Sequence, residues 1–268
     1  MWSALADPWS DPVTRRAFAE VVLLGVASGA LGCWVIAYRL SYSAESLAHA
    51  LLPGLVIAAL IGAPLLVGGA VGLAVAALAV AAAGRTPTIG NDTAVAVVVT
   101  ALLGLGALLA LSPATPAGLQ SLLFGDVLGV SDTDLALAGG LALLMLAALR
   151  VLHPRLLAVG FDRSAAGALG VAPAPIEAAL ALLLAAAILV AVQGLGNLLV
   201  VAVLIAPASA ARLLTRRMAP MLSVSAALAV AGGAAGLYLS YYAGTAAGAS
   251  IAGMLVGAYA LVAGLRLL

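Results

Sequence analysis

The sequence contains no lysine: each of the eleven basic residues in this 268-residue chain is an arginine. A Walker A motif needs a lysine to hold the nucleotide phosphates, so the chain is not a standard P-loop ATPase. If ATP drives the process in which the chain takes part, another subunit must hydrolyse it. We therefore expect no enzyme activity and no cofactor in this chain.

Charge of either sign is scarce as well. Only 8% of the residues are charged and 65% are hydrophobic, whereas soluble domains carry about 25% charged residues. This composition indicates an integral membrane protein. With a net charge of +1 and no basic patch, the chain offers nothing that would bind nucleic acid. The single cysteine, Cys33, excludes an intrachain disulfide and is of a type that fills space between helices.

Apolar runs of about 17–25 residues, long enough to cross a bilayer, lie between the few polar breaks. The nine candidate spans are 17–38, 45–62, 64–84, 92–111, 134–152, 174–192, 195–214, 220–242 and 246–265. A β-barrel would show short alternating strands instead. The runs predict an all-α integral membrane protein, a polytopic bundle of about eight or nine transmembrane helices. We expect one transmembrane domain over residues 1–268, with a short N-terminal tail over residues 1–16.

The arginines indicate how the bundle is oriented. If the N terminus lies outside the cell, the cytoplasmic segments hold nine of the eleven arginines, and only Arg15 and Arg16 lie outside. Cytoplasmic loops of membrane proteins carry the excess of basic residues, so we predict an N-out, C-in orientation.

Glycines four residues apart recur within the spans, a spacing that lets helix backbones approach closely. The pairs are Gly25/Gly29, Gly68/Gly72, Gly232/Gly236, Gly244/Gly248 and Gly253/Gly257. In a chain with 30 glycines they indicate tight packing and identify no particular dimer face.

Glu45 and His49 form an isolated acid–histidine pair at the head of the second span. Residues four apart lie on one face of a helix. Because a charge near the centre of a bilayer costs about 2.5–3.5 kcal/mol even on a lenient scale, such a pair predicts a function. Carboxylate and imidazole groups bind divalent first-row metal ions. Pro53 lies on the same helix face one turn later and would kink the helix. A kinked, partly polar helix suits the lining of a translocation path.

The metal hypothesis has a simpler competitor at this position. Glu45 could lie at the membrane interface, and His49 could hydrogen-bond a neighbouring carbonyl. Two ligands are also too few for a complete metal site, so water, a third side chain or a symmetry mate would have to complete it.

A second polar segment, at about residues 155–172, joins the fifth and sixth spans. Within it, Ala165, Ala168 and the preceding Phe161 fit a short helix that exposes small residues, with Asp162 as its N-cap and Gly170 at its end. On the cytoplasmic side such a helix could dock into a groove of another protein. The alternative is a plain surface connection.

Three other positions are candidates for the path or for a kink: Asp92, Asn197 and Pro207. Asp92 could instead cap the fourth helix. Asn197 follows a Gly-Leu-Gly break and could line the path or simply end a helix.

Four segments together resemble the membrane permeases of ATP-binding cassette (ABC) transporters that import zinc, manganese or iron, the ABC-3 type. The resemblance covers roughly residues 17–265, and its order and spacing are more specific than any one motif. The segments are Glu45-Ser-Leu-Ala-His-Ala-Leu-Leu-Pro-Gly54, Asn91-Asp-Thr-Ala94, Leu123-Phe-Gly-Asp-Val-Leu-Gly-Val130, and Phe161-Asp with Ala165 and Ala168-Leu-Gly170.

The resemblance implies that Glu45 and His49 are metal ligands of the permeation path, although the family usually has Asp at the position of Glu45. It also implies that the segment containing Phe161, Asp162, Ala165, Ala168 and Gly170 couples the chain to a cytoplasmic ATP-binding subunit. The expected partners are that subunit, an extracytoplasmic metal-binding protein, a second copy of this chain and the lipid bilayer. The implied function is import of zinc or manganese, with iron as a lesser candidate, across the cytoplasmic membrane of a prokaryote by alternating access.

Two other classes of transporter remain as alternatives. An ion-coupled secondary transporter would be expected to show inverted repeats and further acids within its spans, and we find neither a convincing repeat nor many such acids. An ABC permease for a metal chelate, such as a siderophore or cobalamin, would not need an acid–histidine pair.

Overall fold

A computed structural model describes residues 7–83, 91–112 and 128–267. Its helices are α1 (Pro12–Ala37), α2 (Ser41–Ala50), α3 (Leu52–Ile61), α4 (Leu65–Ala83), α5 (Asn91–Ala110), α6 (Asp132–Phe161), α7 (Arg163–Ala168), α8 (Pro173–Leu214), α9 (Met218–Ala243) and α10 (Ala247–Leu267). Within the described residues, six segments are long and apolar enough to cross a membrane, and three shorter apolar helices accompany them. These nine segments coincide with the nine predicted spans, which confirms the all-α membrane fold.

The first helix starts earlier than the apolar run alone predicts. The Asp11 carboxylate accepts hydrogen bonds from the N–H groups of Val13 (3.2 Å) and Thr14 (3.3 Å), and Pro12 occupies the first turn. Both features favour a helix start at this point. α1 therefore includes residues 12–16, which we had placed in the tail. It is the most buried of the six long spans and forms the centre of the bundle.

The boundary of α6 also differs from the prediction. The fifth span was expected to end at residue 152, before His153 and Pro154, whereas α6 continues to Phe161 with Pro154 inside it. A proline within a helix removes one hydrogen bond and bends the helix without necessarily ending it. The first residues of the predicted coupling segment, 155–161, thus belong to α6.

α8 contains two helical arms, which we call the first arm (residues 173–195) and the second arm (residues 197–214). Gly196 separates them with φ 74° and ψ 160°, a conformation open essentially only to glycine. Glu177 of the first arm interacts electrostatically with Tyr38, and the Leu204 carbonyl of the second arm packs against Gly32. A straight helix would hold these two residues of α8 about 40 Å apart, so the chain bends back at Gly196. This agrees with the separate sixth and seventh predicted spans.

Contacts between helices show their relative directions. α6 runs parallel to α1, since Arg16 pairs with Asp132 at one end and the Tyr38 hydroxyl donates to the Leu156 carbonyl at the other. α9 runs antiparallel to α1, because Gly25 lies against Ala229 while the later Gly29 lies against the earlier Ala226. These directions agree with a chain that crosses the membrane in alternation. The N-out orientation itself stays a prediction.

Three of the five glycine pairs lie where helices cross closely. A methyl group added to any of these six residues would fall within 4 Å of a facing helix. The facing helix is α9 for Gly25 and Gly29, α3 for Gly68 and Gly72, and α10 for Gly232 and Gly236. Gly244 instead ends α9 in the left-handed conformation, with φ 63°. A methyl group added to Gly253 or to Gly257 would meet nothing within 4 Å, so this pair packs against no other described helix.

Candidate functional site

Glu45 and His49 lie on one face of α2, as their spacing predicts. Glu45 is exposed and His49 is half-buried. The residues on both sides of this face are buried, Ala44 and Ala48 on one side and Ser46 and Ala50 on the other. α2 packs mainly against α8 and α5. The acid and the imidazole are therefore presented together at the surface of the subunit, outside its apolar core.

The second predicted span is interrupted just after the pair. α2 ends at Ala50 and α3 begins at Leu52, with Pro53 in its first turn. Because proline has no N–H, Pro53 cannot donate to the His49 carbonyl, and the N–H of Leu51 donates to that carbonyl instead. The break predicted from Pro53 is thus present, although the side chain of Pro53 is buried while the pair is not.

An apolar groove continues from the pair along α3. It has a volume of about 270 Å³ and lies between α3, α4 and α5, with Ala50 and Pro53 at the end nearer the pair and Ile61 farther along. The backbones of α3 and α4 come close at Gly54 and Gly68. Among the described residues, no charged side chain lines the groove.

The pair does not by itself make a full metal site. In the part of the chain that the structure describes, no group of three or more His, Cys, Asp or Glu side chains could hold a metal ion. One carboxylate and one imidazole supply two kinds of donor that first-row divalent ions accept. The remaining ligands would come from water, a third side chain or a second copy of the chain.

The other path candidates are placed only in part. Asp92 lies in the first turn of α5 and Asn197 begins the second arm of α8. The side chains of both residues lie outside the described part of the structure. Pro207 is buried in the second arm, next to Ala208, which packs against Gly32 of α1. Residues 123–127, which begin the Leu-Phe-Gly segment that resembles the family, lie outside the described residues.

The predicted short helix between the fifth and sixth spans is α7. Its N-cap is Asp162, whose Oδ1 accepts hydrogen bonds from the N–H groups of Ser164 (2.8 Å) and Ala165 (3.0 Å) and from the Ser164 hydroxyl (2.6 Å). After α7 the chain turns at Gly170, in the left-handed conformation with φ 73°. Both predictions from the sequence, the cap and the glycine end, are confirmed.

The hydrogen bonds at this cap also lower the pKa of the Asp162 carboxyl group. The Ser164 hydroxyl first, and then the N–H groups of Ala165 and Ser164, hold the pKa of Asp162 below its ordinary value of 3.8. A carboxyl group whose pKa is lower in the folded protein than in the unfolded chain stabilises the folded form when the pH is above the unfolded pKa. This stabilisation is lost as the pH falls through the folded pKa. The cap is therefore fully charged at neutral pH.

α7 presents an exposed, partly apolar surface. Phe161 is 96% exposed and Leu169 is 71% exposed, and Ala165 and Ala168 between them are exposed too. Only Ala166 is buried in α7, against the rest of the bundle. Large apolar side chains this exposed outside the membrane spans indicate a surface that another protein covers.

An ion pair that the sequence did not predict fixes the position of α7. Arg163 binds Glu177 with both ends of its guanidinium, Nε to Oε1 at 3.0 Å and Nη2 to Oε2 at 3.1 Å. The bidentate geometry ties α7 to the start of the first arm of α8. Leu169 was likewise missed, since its exposure depends on how α7 packs. The opposite charges fourteen positions apart were the only available signal for the ion pair.

Comparisons with known proteins agree with these features. The sequence profile of the ABC 3 transport family matches residues 10–265. The manganese transport system membrane protein MntC of Halalkalibacterium halodurans is 35% identical over 238 residues, 88% of this chain and 82% of MntC. The chelated iron transport system membrane protein YfeD of Yersinia pestis is 28% identical over 251 residues, 94% of this chain and 84% of YfeD. Among solved structures, PsaBC from Streptococcus pneumoniae in complex with Fab matches with a TM-score of 0.89 and 26% identity, over 97% of this chain and 94% of that one.

Proposed function

The chain belongs to the ABC 3 transport family, and from this membership we propose that it is the permease subunit of an ATP-driven importer for a divalent first-row metal ion. It is a multi-pass protein of the cytoplasmic membrane and a transport component. The observation that carries the proposal is the Glu45–His49 pair, which α2 presents outside the core of its own subunit.

The exposure of the pair supports a site shared between two copies of the chain. Each subunit offers one carboxylate and one imidazole at this face, and two facing copies would supply four ligands. Four or more donors are what a first-row divalent ion needs. We propose that a homodimer holds the ion between its two α2 helices.

Brief occupation of this site fits alternating access. An external metal-binding protein delivers the ion, the two pairs hold it, and closure of the ATP-binding subunits opens the path inward. A site on a transport path must bind its ion weakly enough to release it. The half-exposed pair beside an apolar groove, with few ligands per subunit, has the character of such a transient site.

Manganese is the first candidate for the transported ion. The relative MntC is named for manganese and the relative YfeD for chelated iron. A carboxylate together with an imidazole also suits Zn²⁺, and the chemistry of the pair alone does not distinguish these ions. We therefore rank Mn²⁺ first, with Zn²⁺ and Fe²⁺ as competitors to be compared directly.

Coupling to ATP hydrolysis requires a partner, since this chain has no lysine for a Walker A motif. We propose that the cytoplasmic ATP-binding subunit docks on the exposed surface formed by Phe161, Ala165, Ala168 and Leu169. The Asp162 cap and the Gly170 turn define the ends of α7, and the Arg163–Glu177 ion pair fixes its position. Movement of the partner would thereby reach the first arm of α8.

Uptake by proteoliposomes tests the proposal against a secondary transporter. We expect the permease, reconstituted with its ATP-binding subunit and metal-binding protein, to take up ⁵⁴Mn²⁺ only with hydrolysable ATP. Ionophores that collapse the proton and sodium gradients should not reduce the rate. Competition by unlabelled Zn²⁺, Fe²⁺ and a ferric chelate ranks the substrates. Uptake that needs an ion gradient and no ATP would overturn the proposal.

A further inference from the structure

A second cleft lies between α1, α6 and α9. Its volume is about 540 Å³, twice that of the groove beside α2. Most of its wall is apolar, with Val26 and Ala30 from α1, Leu146 from α6 and Leu222 from α9. None of the functions proposed above uses this cleft.

One end of the cleft is basic. Arg150 and His153 line it from α6, and Ser223 adds a hydroxyl from α9. Arg150 and His153 are three residues apart on a helix, so they share a face. Among the described residues, no acidic side chain lines the cleft, and Arg150 forms no ion pair with a carboxylate. A cationic side chain in an apolar cleft needs an anionic partner.

The basic end lies at the depth of a membrane interface. The Trp34 ring stands edge-on to His153 with ring centres 5.4 Å apart, and the hydroxyl of Tyr38 donates to the Leu156 carbonyl at 2.9 Å. Trp34 is buried inside the bundle, whereas the half-buried Tyr38 is of a type enriched at the level of the lipid headgroups. α1 ends here, at Ala37, on the side where the arginines predict the cytoplasm. Arg150 sits about one turn deeper than His153, within reach of the interface for a long side chain.

The cleft lies between helices that the described part of the subunit leaves largely uncovered. Only 22% of the apolar stretch of α6 and 28% of that of α9 is buried within the subunit, whereas 72% of that of α1 is buried. Helices with so much apolar surface exposed in a membrane contact acyl chains. Arg217, the residue before α9, and Arg216 add positive charge near the same end of that helix. Basic pockets between transmembrane helices on the cytoplasmic side bind anionic headgroups.

We propose that this cleft is a binding site for an anionic phospholipid, with one acyl chain along the apolar wall and the headgroup phosphate on Arg150 and His153. The apolar wall extends about 10 Å along α6 and α9, enough for the first part of an acyl chain, and the single basic end fits the phosphate. A zwitterionic lipid would bring a cation beside two basic side chains, so the site discriminates by charge. The proposal is independent of the identity of the transported ion.

Native mass spectrometry of the full-length permease tests it. The protein is purified from vesicles of equal parts phosphatidylglycerol and phosphatidylcholine, and the retained lipids are counted. We expect at least about fivefold preference for phosphatidylglycerol, the factor expected from one basic residue near an anionic surface. Arg150→Gln and Arg150→Gln/His153→Gln should reduce the preference progressively to about one. Arg266→Gln, which changes an arginine on α10, is the matched control and should retain it.

Ser223→Trp separates the cleft from general surface charge. It leaves both basic residues in place and fills the cleft from an exposed position, so it should also displace the lipid. Equal retention of the two lipids by the wild type, or equal losses in Arg150→Gln and Arg266→Gln, would overturn the proposal. So would a weakened permease dimer in Arg150→Gln with unchanged lipid retention, because the cleft would then be covered by a second copy.

Discussion

Metal uptake by the reconstituted complex should fall by at least about 10–100-fold in Glu45→Gln and in His49→Ala. Loss of even a supporting partner around a bound metal typically costs this factor, and each variant removes a proposed direct ligand from both copies of the dimer. Because the pair lies outside the subunit core, we expect the variant proteins to fold and to assemble. Initial rates of ⁵⁴Mn²⁺ uptake measure the effect.

Conservative variants make this prediction specific. Glu45→Asp keeps a carboxylate of the kind that the family usually has here, so it should retain most of the uptake. Tyr42→Phe, on the exposed part of the same helix, should behave as the wild type. ATP hydrolysis must persist in Glu45→Gln and His49→Ala. Normal uptake in both of these variants would show that the pair is structural, although the chain would remain a permease.

Association with the ATP-binding subunit should weaken by at least about 30-fold in Phe161→Asp. Apolar residues at the centre of an interface typically contribute 2 kcal/mol or more, which corresponds to about this factor. A carboxylate there would also have to lose its water on docking. Since Phe161 is 96% exposed in the permease alone, the variant should keep the melting temperature of the wild type. Co-purification and surface binding assays with the ATPase measure the loss.

Two controls distinguish the surface of α7 from other cytoplasmic surfaces. Leu214→Asp introduces the same charge at another exposed apolar residue, at the end of α8, and should leave the association unchanged. Asp162→Asn keeps an N-cap side chain and should also retain binding. Equal weakening by Phe161→Asp and Leu214→Asp would mean that α7 is not the docking surface.

Apolar run length predicted the nine crossings because a bilayer fixes the length that a spanning helix needs. Boundaries were harder wherever local chemistry competes with hydropathy. The Asp11 cap extends α1 into a polar stretch, and α6 continues through Pro154 to Phe161. The turn at Gly196, by contrast, was signalled by the Gly-Leu-Gly break.

Helical spacing placed Glu45 and His49 on one face, since that requires only the local geometry of α2. The exposure of Glu45 could not be predicted, because it depends on how α5 and α8 pack against α2. The same limit applies to the Arg16–Asp132 ion pair, whose members are 116 residues apart and meet only after α1 and α6 align. Contacts between distant segments carry no periodic signal in a single sequence.

The most direct test of the central claim is whether His49 binds the transported ion. The chain has two histidines, His49 and His153, so the permease alone can be labelled with ¹⁵N-histidine, assembled with its partners and loaded with Mn²⁺. Electron–nuclear double resonance should then show ¹⁵N coupling in the wild type and in His153→Gln, and none in His49→Gln. Coupling that persists in His49→Gln, or that is absent from the loaded wild type, would contradict the proposed site.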